Sequence, residues 1–546
     1  MKDLNIEIKN ALKESVKKAF NYEANDEILV EIPKEKTHGD YASSTAMKLA
    51  RSLHKAPLEI AKTLKPILEE FSFIEKVEIA GPGFLNFYVK QENLTAILHD
   101  ILVNKEKYGS SDFGKNEKIM VEYVSANPTG DLHLGHARGA AYGDTLTRIL
   151  SFVGYDVLRE YYVNDAGNQI EVLGNSLYER YKEALGLDFN LEAIGYQGKD
   201  VKELAKKIAS EDGKKWVNDN SEIRKDYFKD IGIKLELDKI KKDLDLYRVH
   251  FDHYQSERSL YKDGKVKKAI DVLKKSPYYY EKEGATWLKT TEFGDDKDRV
   301  IIKSDGSYTY FTPDIAYHKD KFDRGYSKLV DILGADHYGY IIRLKAGIKI
   351  MGYNPDDLEV KMIQIVRLME NGEEVKMSKR TGNAVTIREL CEDVGVDVAR
   401  YFFISKPIIS HLDFDLNLAR NHSNDNPVYY IQYAFARMSS ILKKANDYEI
   451  KESYPLLKDS KEIELIKHLG ELKNTLIDIA KVKEVNILCN YAYKLAQLFH
   501  SYYNDTKVID ENNLEVSKER LALIKASSIV LKTVLTLLGC EAKESM

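Results

Sequence analysis

At 546 residues the chain is too long for one ordinary hydrophobic core, and its length predicts about three domains. Hydrophobic residues at 43% and charged residues at 31% exclude a disordered chain and fit a folded, soluble one. The net charge of −5 excludes neither nucleic acid nor small anions as partners, because a basic face can sit on an acidic protein.

Cys391, Cys489 and Cys540 lie far apart and form neither a metal-ligand pattern nor a disulfide framework, which fits a reducing compartment. The opening residues, MKDLNIEIKNALKES, are charged and helical in character, with no apolar core of a secretory signal. No run reads as long enough to span a bilayer. A cytoplasmic protein without a membrane partner is expected.

Residues 1–110 read as a small α+β unit. Apolar spacing predicts helices over 4–20, 42–53, 57–68 and 92–103. Strands are expected at 28–32, 77–79 and 84–89, the last two separated by Gly81-Pro82-Gly83. Residues 107–114 read as a linker.

Residues 115–395 alternate strands and helices, which predicts a largely parallel sheet. A strand at 119–124 leads into Asn127-Pro-Thr-Gly-Asp-Leu-His133-Leu-Gly-His136 and then a helix at 137–150. A strand, a glycine-bearing turn and a helix start form a place to hold phosphate. Taken alone, two histidines three apart are as readily packing or surface residues. A second strand is expected within 152–161, followed by the polar run from Asn164 to Gln169. That run reads equally as a ligand-facing strand end or as a plain turn and cap.

Residues 170–290 read as an insertion, much of it lysine-rich helix at 199–208 and 221–244, whose charges suit solvated faces. Within it, Phe251 to Glu257 reads as a strand with a carboxylate at its end, and 285–289 as another strand. Beyond Val300, the run Tyr308-Thr-Tyr310-Phe-Thr-Pro313-Asp314 leads into a helix at 315–323. A strand at 328–333 ends at Gly334-Ala335-Asp336, and a helix at 340–351 precedes a strand at 358–367. A hairpin-like turn at 370–373 then introduces Lys376-Met377-Ser378-Lys379-Arg380-Thr-Gly-Asn383. Lysines are mobile point charges suited to polyphosphate, although a lone basic loop is usually a solvated surface. A helix at 386–394 follows. Residues 396–546 read as all-helical, with segments at 398–405, 417–422, from Pro427, and at 462–482, 484–503 and 516–538.

His133-Leu-Gly-His136 early and Lys376-Met-Ser-Lys379 late resemble the nucleotide-binding signature of the class I aminoacyl-tRNA synthetases. Over nearly its whole length the chain resembles the arginyl-tRNA synthetases. The resemblance rests on GDYASSTAMKLA, GPGFLNFYV, VEYVSANPTGDLHLGHARGA, NDAGNQ, SDGSYTYFTPDIAYH, GADHYGY, KMSKRTGN, NPVYYIQYAFARM and the ending from Ala522. It implies a multidomain α/β chain. Residues 1–110 would be an additional domain meeting the tRNA elbow. A Rossmann-like catalytic domain with an inserted connective domain would span 115–395, and a helical anticodon-binding domain 396–546.

The resemblance implies an arginine–tRNA ligase that makes arginyl-adenylate from ATP, then transfers arginine to the terminal adenosine 2′-hydroxyl of tRNA(Arg). It implies a monomer, tRNA-dependent activation, and Mg2+ carried by the nucleotide, with no metal bound by the protein itself. His133, Gly135 and His136 would meet ATP, joined by Lys376, Met377, Ser378 and Lys379, with Lys379 the main phosphate ligand and Lys376 positioning the loop. Charge developing on the phosphate oxygens calls for preorganised donors, and the histidines would serve as donors rather than as bases. A guanidinium matches carboxylates in a bidentate way. The resemblance sets Asp314 and Glu257 against it, with Tyr310 alongside. The substrate's α-amino and carboxylate groups would meet Ser125, Asn127 and Asp336, with Glu122 in support. Asn86, Phe87, Tyr433, Arg437 and Met546 would contact tRNA, and Tyr429, Tyr430 and Phe435 are further stacking candidates.

Three departures stand out. Asp131 occupies a position where many relatives have proline, putting a carboxylate near a phosphate site. Pro313 replaces a residue often basic or small, and Phe435 stands where histidine is common. Rival readings are a nucleotidylyltransferase acting on a non-tRNA substrate, a synthetase for another amino acid such as cysteine, and a non-catalytic tRNA-binding protein. The first needs no arginine-directed acids, the second calls for zinc ligands that three scattered cysteines do not supply, and the third does not need intact signatures.

Overall fold

In the N-terminal unit, α1 (Leu4–Phe20) buries Ile8, Leu12 and Val16 on one face. The computed structural model describes every residue except 1–3, 26, 34–37, 336–338, 376–384 and 446. Strand β1 (Tyr41–Ser43) precedes α2 (Thr45–Leu53) and α3 (Pro57–Leu68). Strands β2 (Ile74–Ala80) and β3 (Phe84–Val89) complete an antiparallel sheet of order β1-β3-β2, and α4 (Gln91–Asn104) leads out of it. Two expectations are corrected. The helix expected from residue 42 starts at Thr45, because Tyr41–Ser43 pairs with β3. Residues 28–32 contribute only a bridge between Glu31 and Ala42, and Pro33 just after them has no N–H to extend the ladder.

The catalytic region is built on five parallel strands. These are β4 (Lys118–Glu122), β5 (Asp156–Val163), β6 (His253–Ser256), β10 (Lys328–Gly334) and β11 (Leu358–Ile363), in spatial order β11-β10-β4-β5-β6. The stretch expected as one insertion therefore contains a strand of the central sheet. Before β6 come α6 (Asn168–Ala184), α7 (Lys199–Asp212) and α8 (Glu222–Leu246). These helices share a small core around Leu173, Tyr181, Trp216 and Phe228. After β6 come α9 (Glu257–Lys262), α10 (Lys265–Leu273) and a second antiparallel sheet, β7 (Tyr279–Lys282), β8 (Ala285–Leu288) and β9 (Arg299–Ile302).

Helix α5 (Leu134–Phe152) follows β4 and lies close against the sheet. Gly143 permits this approach, since a Cβ there would fall 2.3 Å from the Tyr123 ring. Helix α11 (Phe311–Asp323) precedes β10 and α12 (Tyr340–Ile350) follows it. Strand β12 (Val366–Glu370) turns tightly into β13 (Glu373–Glu374), as the hairpin reading expected. The turn residues Asn371 and Gly372 both have positive φ, the conformation of a tight hairpin. Helices α13 (Ile387–Val394) and α14 (Val396–Ile404), strand β14 (Leu412–Asp415) and the short α15 (Leu416–Ala419) lead to the helical domain.

That domain comprises α16 (Pro427–Lys444), α17 (Ser460–Gly470), α18 (Leu472–Val482), α19 (Asn486–Asp505) and α20 (Leu514–Leu538). The single helix expected at 462–482 is two, broken at Gly470, where a Cβ would lie 2.9 Å from Ile97. The expectation that no run suits a bilayer is also corrected. By length and composition α20 would cross one, but 83% of its apolar window is buried inside the protein, where it forms the domain's core.

Arg400, wholly buried in α14, joins three parts of the chain. It donates to Asp144 of α5 at 2.5 Å, to the Tyr247 carbonyl at 2.9 Å and to the Leu538 carbonyl at 3.1 Å. Arg148 also reaches Asp144, which limits the damage when Arg400 is lost. Arg400→Ala is expected to cost on the order of 3 kcal/mol, read as a lower urea midpoint.

Candidate active site

The strand order reverses at β4, with β5 and β6 on one side and β10 and β11 on the other. Ligands of such sheets bind outside the carboxyl ends at this switch point. A cavity of about 1030 Å³ opens there, lined by the ends of β4, β10 and β11 and by the starts of α5 and α11.

At the α5 start, His133 and His136 cap the helix reciprocally. His133 Nδ1 accepts from the Gly135 N–H at 3.1 Å, and His136 Nδ1 accepts from the His133 N–H at 3.3 Å. With both Nδ1 atoms accepting, the neutral rings carry their protons on Nε2. The rings stack with centroids 3.8 Å apart. Burial lowers the pKa of both, that of His136 to about 3 with the neighbouring His133 adding to the effect. The pair is thus a pair of neutral N–H donors at a helix N-terminus, and both line the cavity with Gly135.

The chain leaves β4 through Val124 (φ 66) and Ser125 (φ 40), two consecutive left-handed residues without glycine. Such conformations cost roughly 1–3 kcal/mol each and cluster at working sites. The bend turns Ser125 back on the strand. Its hydroxyl donates to Glu122 Oε1 at 3.0 Å and accepts from the Tyr162 N–H at 3.1 Å. Asn127 donates to Gln169 at 2.8 Å. Glu122, Ser125, Asn127 and Tyr162 all line the cavity.

Helix α11 presents Asp314, Tyr317, His318 and Lys321 on one face, at i, i+3, i+4 and i+7. His318 Nε2 lies 2.7 Å from Asp331 on β10, while Lys321, fully buried, donates to Glu122 at 2.6 Å and to Asp331 at 2.8 Å. Burial raises the Glu122 pKa, and the Lys321 ammonium opposes that rise. Tyr317 donates to Glu160 at 2.6 Å, and Arg324 holds the same carboxylate with two further bonds. Tyr340 donates to Asp314.

Glu257 stands at the start of α9, next to Asn164, which lines the cavity. With the Asn164 amide turned so that its nitrogen faces acceptors, that nitrogen donates to Glu257 at 3.0 Å. Burial and the nearby Asp314 charge raise the Glu257 pKa to about 7. Glu257 and Asp314 therefore crowd one end of the site with negative charge, a place suited to a cation.

Tyr310 is 87% exposed, and the hydroxyl that donates to Asp314 is that of Tyr340. Asp336, Lys376, Met377, Ser378 and Lys379 lie outside the described residues. The chain on either side of 376–384 does reach the site. Val375 and Val385 line the cavity, Thr386 bridges to His133, and the Ile387 N–H donates to the Leu132 carbonyl at 2.9 Å. Lys321, Asp331, His318, Tyr162 and Tyr340 were not singled out from the sequence. The helical spacing of Asp314, His318 and Lys321 was the available signal.

Among the residues expected to meet tRNA, Asn86 is 4% exposed and Phe87 wholly buried on β3. As packed, these side chains serve the domain core and offer no surface to a macromolecule. Phe435 is likewise buried, which removes it as a stacking platform. Tyr429 and Tyr433 stack along α16, the Arg437 guanidinium lies 4.8 Å from the Tyr433 and Tyr503 ring centres, and Met546 is exposed.

A five-stranded parallel sheet with a cavity at its switch point, and His133-Leu-Gly-His136 at the start of the helix beside it, is the fold of a class I aminoacyl-tRNA synthetase catalytic domain. Residues 97–404 match the family described as tRNA synthetases class I (R), catalytic domain. Residues 6–89 match the arginyl tRNA synthetase N terminal domain, and 431–546 the DALR anticodon binding domain. The chain belongs to the arginyl-tRNA synthetase family. It is 50% identical to the arginine–tRNA ligase of Geobacillus thermodenitrificans, over 99% of this chain and 98% of that one. It is 51% identical to that of Shouchella clausii, over 95% and 94%. The Thermus thermophilus arginyl-tRNA synthetase structure shares the fold at a TM-score of 0.79 and 21% identity, covering 100% of both chains.

The histidine cap carries a pH signature. His136 titrates in the fold near 3 instead of at its ordinary 6.5, so only the unfolded chain binds its proton between those values. The stability contributed by this shift is complete above the ordinary value and is lost as the pH falls toward the folded one. His136→Gln is expected to flatten the decline of the urea midpoint between pH 6.5 and 4.5 relative to the wild type.

Proposed function

We infer that this protein is an arginine–tRNA ligase, joining L-arginine to tRNA(Arg) in an ATP-dependent reaction. The single observation that carries the reading is the division of one cavity. Neutral N–H donors at a helix start line one end and Asp314 the other, with Glu257 bonded to the lining residue Asn164. A substrate with a guanidinium at one end and a carboxylate to be activated at the other fits that division. Asp314 and Glu257 receive the guanidinium, with Tyr340 fixing the Asp314 carboxylate. Glu122, held by Lys321 and Ser125, faces the α-ammonium. Asn127 and Asp336 complete the grip on the amino acid.

The substrate carboxylate attacks the α-phosphate of ATP, forming the adenylate and releasing pyrophosphate with Mg2+ carried on the nucleotide. His133 and His136 donate to phosphate oxygens as charge develops there, with no proton transferred. Lys379, with Lys376 positioning the loop, draws the β- and γ-phosphates toward the same place. The terminal 2′-hydroxyl of tRNA then attacks the adenylate carbonyl. AMP leaves as the ester to tRNA forms, and because the adenylate is an already activated mixed anhydride, positioning suffices. We further propose that activation depends on bound tRNA, held along the Tyr433–Arg437 face near Met546, and that the protein acts as a cytoplasmic monomer.

Charging of total tRNA should require arginine and ATP, and arginine-dependent pyrophosphate exchange should rise when tRNA is added. Absence of arginine charging would sink the reading. A second measurement concerns Glu257. Burial and Asp314 raise its pKa to about 7, and a guanidinium beside it would lower that value, so arginine binding releases a proton below that pH. Affinity should weaken by up to about tenfold per pH unit below neutrality. Calorimetry in buffers of different ionisation enthalpy reads this release, and Glu257→Gln should abolish it.

A further inference from the structure

The Asp131 carboxylate, which stands two residues before the histidine cap, is engaged by a helix of the inserted region. Lys239 of α8 pairs with Asp131 and lies 3.3 Å from Asp200 of α7. One turn further along the same helix, Asp243 pairs with Arg388 of α13, the helix that follows the lysine loop. Ile240, between these pairs, and Leu244, just after them, belong to the same apolar cluster as Leu132, Ile387 and Leu390. Glu236, one turn before Lys239, is fully buried with neither carboxylate oxygen hydrogen-bonded. Burial raises its pKa to about 7, and the Lys239 charge opposes that rise. Residues 236, 239, 240, 243 and 244 form one stripe of the helix.

We propose that this stripe of α8 is a clamp that sets the spacing of the two signature segments, holding the loop before His133 through Lys239–Asp131 and the helix after the lysine loop through Asp243–Arg388. The inference rests on the catalytic reading above. Lys239, Asp131, Asp243 and Arg388 are positioning residues and touch no substrate. The two segments already meet through the Ile387–Leu132 bond and the Thr386–His133 bridge. Helix α8 braces that junction from outside, and phosphate donors misplaced by an ångström lose most of their effect. Asp131 thereby acquires a role that a carboxylate facing phosphates would not have. Its charge is spent on Lys239.

The test is arginine-dependent pyrophosphate exchange with tRNA present. Asp131→Asn and Arg388→Gln should each lower kcat about tenfold while the arginine KM stays within about twofold, with an unchanged urea midpoint. Asp131→Glu should restore most of the rate. The double variant Asp131→Asn/Lys239→Met should be no slower than Lys239→Met alone, as expected of one coupled pair. An unchanged rate in Asp131→Asn, or a lower ATP KM from relief of repulsion, overturns the clamp. So does a loss that follows a lowered urea midpoint. A wild-type chain active with ATP but not with arginine overturns the catalytic reading and the clamp with it.

Discussion

The site depends on one buried ammonium. Lys321 lies between Glu122 at the end of β4 and Asp331 on β10, with no exposure to water. A buried charge is tolerated only when paired and hydrogen-bonded, and removing one partner leaves the others strongly destabilised. The triad therefore locks α11 against the two strands that flank the switch point. Once α11 is locked, its remaining polar residues have fixed positions. Asp314 meets Tyr340 and His318 meets Asp331, while Tyr317 reaches Glu160.

The same region shows how the fold separates charge within one cavity. At the α5 end, burial keeps two imidazoles neutral and their mutual caps direct the Nε2 protons outward. At the α9 and α11 end, burial, with the nearby Asp314 charge adding to it, raises the Glu257 pKa. Neutral donors and a helix N-terminus favour phosphate, while paired carboxylates favour a cation. The asymmetry suits a ligand that is cationic at one end and anionic at the other. The strained turn at Val124 and Ser125 lies between the two ends and delivers Ser125 and Asn127 to the middle.

The outer domains are fastened to this centre rather than strung from it. Arg400 ties α14 to α5 and to the end of α20. Tyr454 and Leu457 take hydrogen bonds with Thr95 and Gln91, which join the helical domain to α4. Helix α20 is apolar enough for a bilayer, yet it is spent as a core element, because surrounding helices cover most of its surface.

Residues close in the chain were legible without coordinates. Helical spacing placed α1, α3 and α16 nearly to the residue, and the alternation of strands and helices implied the parallel sheet. The strand, turn and helix around His133 were legible, because capping and peptide dipoles are local properties. Burial and distant pairing were not legible. Phe87 carries a motif that resembles a tRNA contact, yet it sits in the core, and the bond from Tyr340 to Asp314 had no signal in the sequence. The strand read near Phe251 to Glu257 belonged to an expected insertion, and its pairing with β5 in the central sheet was not legible. Local propensity and short motifs follow from neighbouring residues, and the sequence by itself determined those. Which charge neutralises which, as Lys321 does for Glu122 from 199 residues away, was decided only when packing brought the two together and removed the water between them.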